Sequence, residues 1–201
     1  MEETFVHLHT HSTYSILDSA IKIPELVKKL KELDYKSCAL TDHGTMAGLM
    51  DFYKEMRKEG LKPILGMEAY VAPFGKKVRE RSNSKHLVLL CESLTGYYNL
   101  VKIQSDASIN GMYYKPRTDF EMLEKHHEGL IALSACMGGE VQNHILEDRY
   151  DEAKASAINY DRIFGRGNFY LEMQDFGTRD CIKVNDGLRR LSAETGIPLV
   201  C

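Results

Sequence analysis

Short runs of β-branched and apolar residues alternate along this chain with stretches of helical periodicity. That alternation confines it to an α/β fold of repeated strand–helix units. The spacing predicts strands over 5–9, 37–41, 63–71, 86–91, 129–134, 169–173 and 197–201. Between them it predicts helices over 23–33, 46–58, 96–109, 119–127, 140–146, 151–164 and 179–194. Pro24 suits a first helical turn, Leu26, Leu30 and Leu33 give that helix one apolar face, and Gly60 is placed to stop the next one. Residues 73–84 are polar, carry Lys76, Lys77, Arg79 and Arg81, and read as an exposed loop. Strand–helix repeats imply a parallel sheet, either closed as a barrel or open and doubly wound. No Gly-x-Gly-x-x-Gly follows the first strand and no P-loop pattern occurs, so nucleotide-binding open sheets lose their main signatures. A barrel is the expected architecture, and barrels keep their chemistry at the C-terminal ends of the strands.

The metal-capable side chains fall at those ends. His9 and His11 close the first predicted strand, Asp18 lies in the loop after it, and Asp42 and His43 close the second. Glu68 lies inside the third run, His86 opens the fourth, and Cys136 follows the fifth. Residues two apart on an extended strand point to the same side, so His9 and His11 can grip one ion together. Imidazole, carboxylate and thiolate in combination suit zinc, manganese or iron better than calcium. His9, His11, Asp18, His43, Glu68, His86 and Cys136 are therefore expected to converge in one metal-binding pocket. Plainer roles stay open for the neighbours. His7 shares the parity of His9 but lies deeper, where a hydrogen-bonded core role suits it. His126 and His127 suit the negative end of a helix dipole, and His144 a helix surface. Asp42 could orient an imidazole instead of ligating. Cys136 taken alone could be an inert buried thiol, and Glu172 a polar residue of the barrel interior.

Composition narrows the field further. A chain of 201 residues, 43% of them hydrophobic, can bury a single core without staples. Cys38, Cys91, Cys136, Cys181 and Cys201 are odd in number and form no Cys-x-x-Cys pair, which speaks against a disulfide framework or a zinc ribbon. Lys and Arg number 26 against 29 Asp and Glu, for a net charge of −3. That balance gives no bulk attraction to phosphate backbones, so a non-specific DNA-coating protein is not expected. No apolar run approaches the ~20 residues that span a bilayer, and Met1-Glu2-Glu3 does not resemble a signal peptide. The chain is expected to be soluble and cytoplasmic, with no membrane partner.

His9-Thr10-His11-Ser12, Asp18, Thr41-Asp42-His43-Gly44, Gly66-Met67-Glu68, His86 and Cys136 together resemble the polymerase and histidinol phosphatase (PHP) superfamily. Tyr14-Ser15-Ile16-Leu17-Asp18, Leu94-Thr95-Gly96-Tyr97-Tyr98-Asn99-Leu100 and Tyr114-Lys115-Pro116-Arg117 favour its polymerase branch, the N-terminal domain of bacterial DNA polymerase III alpha subunits. The resemblance implies a distorted (β/α)7 TIM-like barrel with up to three divalent metal ions, zinc foremost, with manganese or iron as alternatives. It implies one ion on His9, His11 and Glu68, a second on Glu68, His86 and Cys136, and a third on Asp18 and His43. The family also draws an Asp and a His from just past its seventh strand. This sequence stops at Cys201, so a C-terminally truncated domain is expected, without the polymerase palm, thumb and fingers.

The function implied is metal-dependent phosphoester hydrolysis, 3′–5′ exonuclease proofreading, within a replicative polymerase. Its catalytic residues would be His9, His11, Asp18, His43 and Glu68. Lys115 and Arg117, or the basic loop, would hold substrate phosphates, although such a loop reads more readily as a solvated surface run. Implied partners are DNA and replisome subunits such as a sliding clamp and a proofreading exonuclease. Two other functions compete: a stand-alone phosphatase of the histidinol phosphate type, and a non-catalytic scaffold for the polymerase and a proofreading partner.

Overall fold

The computed structural model describes residues 5–82 and 84–201. Along them run β1 (Ser37–Leu40), β2 (Lys62–Val71), β3 (Lys85–Cys91), β4 (Met112–Tyr113), β5 (Lys115–Thr118), β6 (Leu130–Leu133), β7 (Phe169–Glu172) and β8 (Leu199–Val200). The helices are α1 (Ile23–Glu32), α2 (Leu49–Lys58), α3 (Leu94–Asn110), α4 (Phe120–His126), α5 (Glu140–Leu146), α6 (Tyr150–Phe164) and α7 (Arg179–Thr195). Helix starts follow local chemistry. Ser93, Asp119 and Thr178 each accept a backbone N–H at the first turn of α3, α4 and α7. Ile23, Val27 and Leu30 form the buried face of α1, which has Pro in its first turn. Leu33 lies past the end of that helix and is exposed.

The strands pair in the order β4-β5-β2-β3-β6-β7-β8, with β1 also on β2. β1 runs parallel to the first half of β2, and a single bridge from His43 to Glu68 continues that edge. β5 then takes its far end through Tyr70–Arg117 and Val71–Thr118. The sheet curls into a half-barrel of the TIM-like type that the alternation implied, with three differences from the sequence reading. β3 is antiparallel to both β2 and β6, so the sheet is mixed. The first predicted strand makes one bridge, His7 to Cys38, and no ladder of its own. The β4–β5 hairpin was not expected, because Lys115-Pro116-Arg117-Thr118 carries no apolar alternation. It forms because the buried Arg117 gives its guanidinium protons to the carbonyls of Val78 and Lys76, each at 2.8 Å.

Alternation along the strands sorts side chains into two layers. Met67, Ala69, Val71, Leu87, Leu89, Ala132, Phe169 and Leu171 face outward. They form the main core with Leu100, Ile103, Tyr160, Leu188 and Leu191 of the helices. Val88, Leu90 and Leu133 point inward and plug the barrel with Ala39, Ile64 and Tyr170. Glu68, His86 and Glu172 share that inward parity, nearer the other rim. Each buried large aliphatic contributes about 1.5–3 kcal/mol of transfer free energy, so the two apolar layers hold the polar interior positions in place.

Candidate metal centre

All seven expected ligands meet. His9, His11, Asp18, His43, Glu68, His86 and Cys136 line one cleft of about 380 Å3, together with Met137, Gln174 and Phe176. His86 reaches this rim from the N-terminal end of β3, because that strand runs against its neighbours. In an all-parallel barrel the same residue would sit at the opposite rim. Two ligand loops begin with strained backbone: Leu17, before Asp18, has φ 71° and Ala135, before Cys136, has φ 65°. Non-glycine residues in this region cost of order 1–2 kcal/mol each and persist where surrounding contacts over-determine them. Glycine supplies close approach elsewhere. A Cβ on Gly44 (φ 59°) would lie 2.9 Å from Pro116 Cγ and 3.0 Å from the Tyr70 ring. One on Gly138 would lie 3.0 Å from His86 Nδ1.

Glu68 is the centre of the arrangement and is fully buried. Its Oε1 accepts from His86 Nδ1 at 2.8 Å, and the Cys136 Sγ lies 3.6 Å away. Its Oε2 stands 3.1 Å from His9 Nε2, 3.1 Å from His11 Nε2 and 2.9 Å from His43 Nδ1. These three approaches are close but misaligned for hydrogen bonding: Glu68 Oε2, His9 Nε2 and His43 Nδ1 are buried polar atoms with no hydrogen-bond partner. Orphaned buried nitrogens and a carboxylate oxygen converging on one point are costly in a protein interior, and a shared cation satisfies them together. Three trios have mutually close ligand atoms: His9, His11 and Glu68; His11, Asp18 and His43; His43, Glu68 and His86. The first matches the expected trio. The other two add His11 to Asp18 and His43, and set His43 beside Glu68 and His86. The thiol of Cys136 lies 3.5 Å from His86 Nδ1. This donor set suits divalent metal ions.

The charges are set by the same packing. Burial pushes the Glu68 carboxyl up, but the four imidazoles around it outweigh burial and hold it far below the usual carboxylate range. Burial lowers His9, yet the Glu172 and Glu68 carboxylates overcome it and raise the imidazole from 6.5 to about 10. His43 is raised in the same way by Glu68 and Asp18 against burial. The Cys136 thiol is pushed up to about 12 by burial and by the Glu68 charge. A metal ion would displace the protons of this cluster and free its thiolate.

Other side chains orient these. Glu172 Oε1 accepts from His9 Nδ1 at 2.7 Å and from Gln174 Nε2 at 2.6 Å, fixing the ring so that Nε2 faces Glu68. The sequence offered Glu172 as an interior polar residue, with a ligand role as the lesser alternative, and its pairing with His9 bridges 163 positions. Gln174 carried no signal. Asp42, expected to orient an imidazole or to ligate, braces the loop instead. It accepts from Ser12 N–H, Ser12 Oγ and Ser15 Oγ, and Ser15 Oγ in turn accepts the His43 N–H. His7 is exposed and touches the Phe5 and Tyr35 rings, so it is not a core residue. His127 receives no ligand role: its Nδ1 lies 2.8 Å from the Glu124 carbonyl at the end of α4.

The expected phosphate contacts divide. Lys115 is exposed, with Nζ 4.2 Å above the Tyr70 ring and hydrogen-bonded to Tyr70 Oη at 3.1 Å. The Tyr70 ring lies against His43 and His86, so Lys115 stands one ring away from the centre. Arg117 is 1% exposed and committed to backbone carbonyls, which corrects its expected role: it builds the scaffold and does not present its charge to a substrate.

Fold and cluster together define an α/β half-barrel protein whose His9, His11, Asp18, His43, Glu68 and His86 form groups that could hold divalent metal ions, with Cys136 outside those groups. The family model described as "PHP domain" matches residues 7–176, and the chain belongs to that family. DNA polymerase III subunit alpha of Borreliella burgdorferi is 44% identical over 199 residues, covering 97% of this chain and 17% of that protein. The same subunit of Treponema pallidum is 44% identical over 201 residues, covering 98% of this chain and again 17% of the relative. The chain thus spans a small fraction of the curated relatives it matches. A candidate metal-dependent phosphoesterase from Bifidobacterium adolescentis, of known structure, shares the fold with a TM-score of 0.55. Its identity is 14%, over 96% of this chain and 83% of that one. No helix among the described residues is long and apolar enough to cross a membrane.

Proposed function

We propose that this chain is the PHP domain of a bacterial DNA polymerase III alpha subunit, and that the domain is itself a metal-dependent phosphoesterase acting as a 3′–5′ exonuclease. The observation that supports the hydrolytic reading is the convergence of His9, His11, His43 and His86 on the buried Glu68. His9, His11 and Glu68 would hold one ion, Glu68, His86 and Cys136 a second, and Asp18 with His43 a third. Zinc suits this mixture best, and manganese or iron would fit it too. Bound divalent ions supply Lewis-acid polarisation of a phosphoryl group and activation of water at neutral pH.

The residues of the chain have their own tasks in this reading. Glu172 and Gln174 keep His9 in one orientation, and Asp42 fixes the loop bearing His11 and Asp18. Lys115 offers a cation to a phosphate at the edge of the cleft. Asp18, whose side chain is half-exposed, would hold its ion at the solvent side of the cleft. DNA, a sliding clamp and a separate proofreading exonuclease are proposed partners of the longer protein, on the strength of the polymerase relatives. The test is release of nucleotides from a 5′-labelled single strand in the presence of zinc or manganese, by the longer protein that carries this domain together with the Asp and His the family draws from past its seventh strand, as wild type and as a His9→Ala, His11→Ala double variant. Metal-dependent release lost in the variant is expected; identical release by both would overturn the reading.

A further inference from the structure

We infer that the β4–β5 hairpin beside the metal centre is a stacking platform for single-stranded DNA. In it Tyr114 is the base-stacking residue, and Arg81 and Lys115 are the phosphate contacts. The inference rests on the hydrolytic reading above and adds the subsite that would feed a strand to it.

Tyr114 forms the turn between the two strands with φ 60°, a conformation that bulky residues rarely adopt, and its side chain is 69% exposed. Burial therefore does not explain why a large ring stands at this strained position. What surrounds the ring is a nucleic-acid chemistry. The Arg81 guanidinium lies 4.0 Å from the Tyr114 ring centroid, and the Tyr113 ring meets it edge-on at 4.8 Å. Arg81, Ser84, Tyr113, Tyr114, Lys115 and His86 line a cleft of about 420 Å3, with Glu80 the one acidic wall residue. His86 also lines the metal cleft, so the two hollows share a wall. Lys115 stands on the Tyr70 ring, which in turn lies 5.8 Å from the His43 ring and 5.2 Å from the His86 ring.

The platform is built before any strand arrives. Arg117 ties the carbonyls of Lys76 and Val78, at the base of the basic loop, to β5. Pro116 and Tyr70 close over Gly44, where a Cβ would not fit. Loop, hairpin and metal centre are thus one packed unit, which lowers the ordering cost of binding. A net charge of −3 supplies no general attraction to DNA, so affinity must come from local cations and stacking. Aromatic faces take bases from a single strand; in a duplex those faces are already stacked on each other.

The experiment is fluorescence anisotropy of 5′-labelled oligo(dT) with the 201-residue chain in chelator, so that binding is read without hydrolysis. Tyr114→Ala should weaken binding roughly tenfold, while Tyr114→Phe should stay within about twofold of wild type. Tyr114→Gly removes the ring and relieves the backbone, so a matching loss there excludes misfolding as the cause. Lys115→Ala should reduce the slope of log affinity against log salt by about 0.7, the value of one released counterion on a single strand. Wild-type affinity in both Tyr114→Ala and Tyr114→Gly would overturn the inference, as would a Phe variant as weak as Ala. Hydrolysis of a small chromogenic phosphodiester with metal should be unchanged in Tyr114→Ala. Ring-dependent oligo(dT) binding without any such hydrolysis would sink the hydrolytic reading and leave the platform standing; hydrolysis with ring-independent binding would do the reverse.

Discussion

Replacing Glu68 by Gln probes the centre most sharply, because its effect on stability must depend on pH in a stated direction. In the metal-free chain His9 has a folded pKa of about 10 against 6.5 when unperturbed. A raised imidazole contributes its full stabilisation below about pH 6.5 and loses it as the pH climbs through about 10. The window of 3.5 pH units, at 1.36 kcal/mol each, is on the order of 5 kcal/mol, falling by about 1.4 kcal/mol per unit within it. Glu68 runs the other way: its depressed pKa gives stability that is present above about pH 4.5 and is lost only on strong acidification. Glu68→Gln removes the carboxylate facing four imidazoles and leaves His9 with Glu172 alone. A loss on the order of 3 kcal/mol is expected near pH 6, which is about 6–12 °C in Tm for a chain of this size. The loss should shrink toward about pH 9, where the wild type has already surrendered part of the contribution. Thermal unfolding by circular dichroism in chelator, at several pH values, reads this directly. With saturating zinc the wild type should reverse its slope and gain stability as pH rises, since ligands must shed protons to bind. Wild-type and variant curves that run parallel across pH would refute the electrostatic account.

Three further outcomes are expected. Arg117→Met should lower unfolding stability by about 2–4 kcal/mol in denaturant melts, because buried carbonyls lose a charged donor, while metal content stays at the wild-type level. Gly44→Ala should cost at least about 1 kcal/mol for its left-handed backbone, and it should weaken zinc binding in titration calorimetry by pushing Tyr70 and His43 apart. Glu172→Gln should reduce metal affinity about 10- to 100-fold with little change in far-ultraviolet dichroism, as expected for a residue that orients a ligand.

Much of this was legible in the residues, for identifiable reasons. The runs around Leu87–Leu90 and Leu130–Leu133 are apolar on both parities because both faces of the sheet are covered, by helices outside and the plug inside. Strand direction was not legible. The same alternation at Lys85–Cys91 serves a parallel or an antiparallel neighbour, and only the placement of His86 at the start of the run hinted at the reversal. The β4–β5 hairpin was invisible because its stability comes from a buried guanidinium on distant carbonyls, which leaves no period in the sequence. For the cleft, the shared parity of His9 and His11 and the isolation of Glu68 in an apolar run anticipated that these side chains would converge. The pairing of His9 with Glu172 was not anticipated, since it depends on closing the sheet around the interior.

Metal stoichiometry tests the central claim most directly. The wild-type chain, equilibrated with zinc and passed through gel filtration, should retain at least one equivalent of metal by mass spectrometry. Glu68→Gln, which touches every trio but that of His11, Asp18 and His43, should lose most of it. Metal at background in the wild type, or undiminished in the variant, would contradict the account.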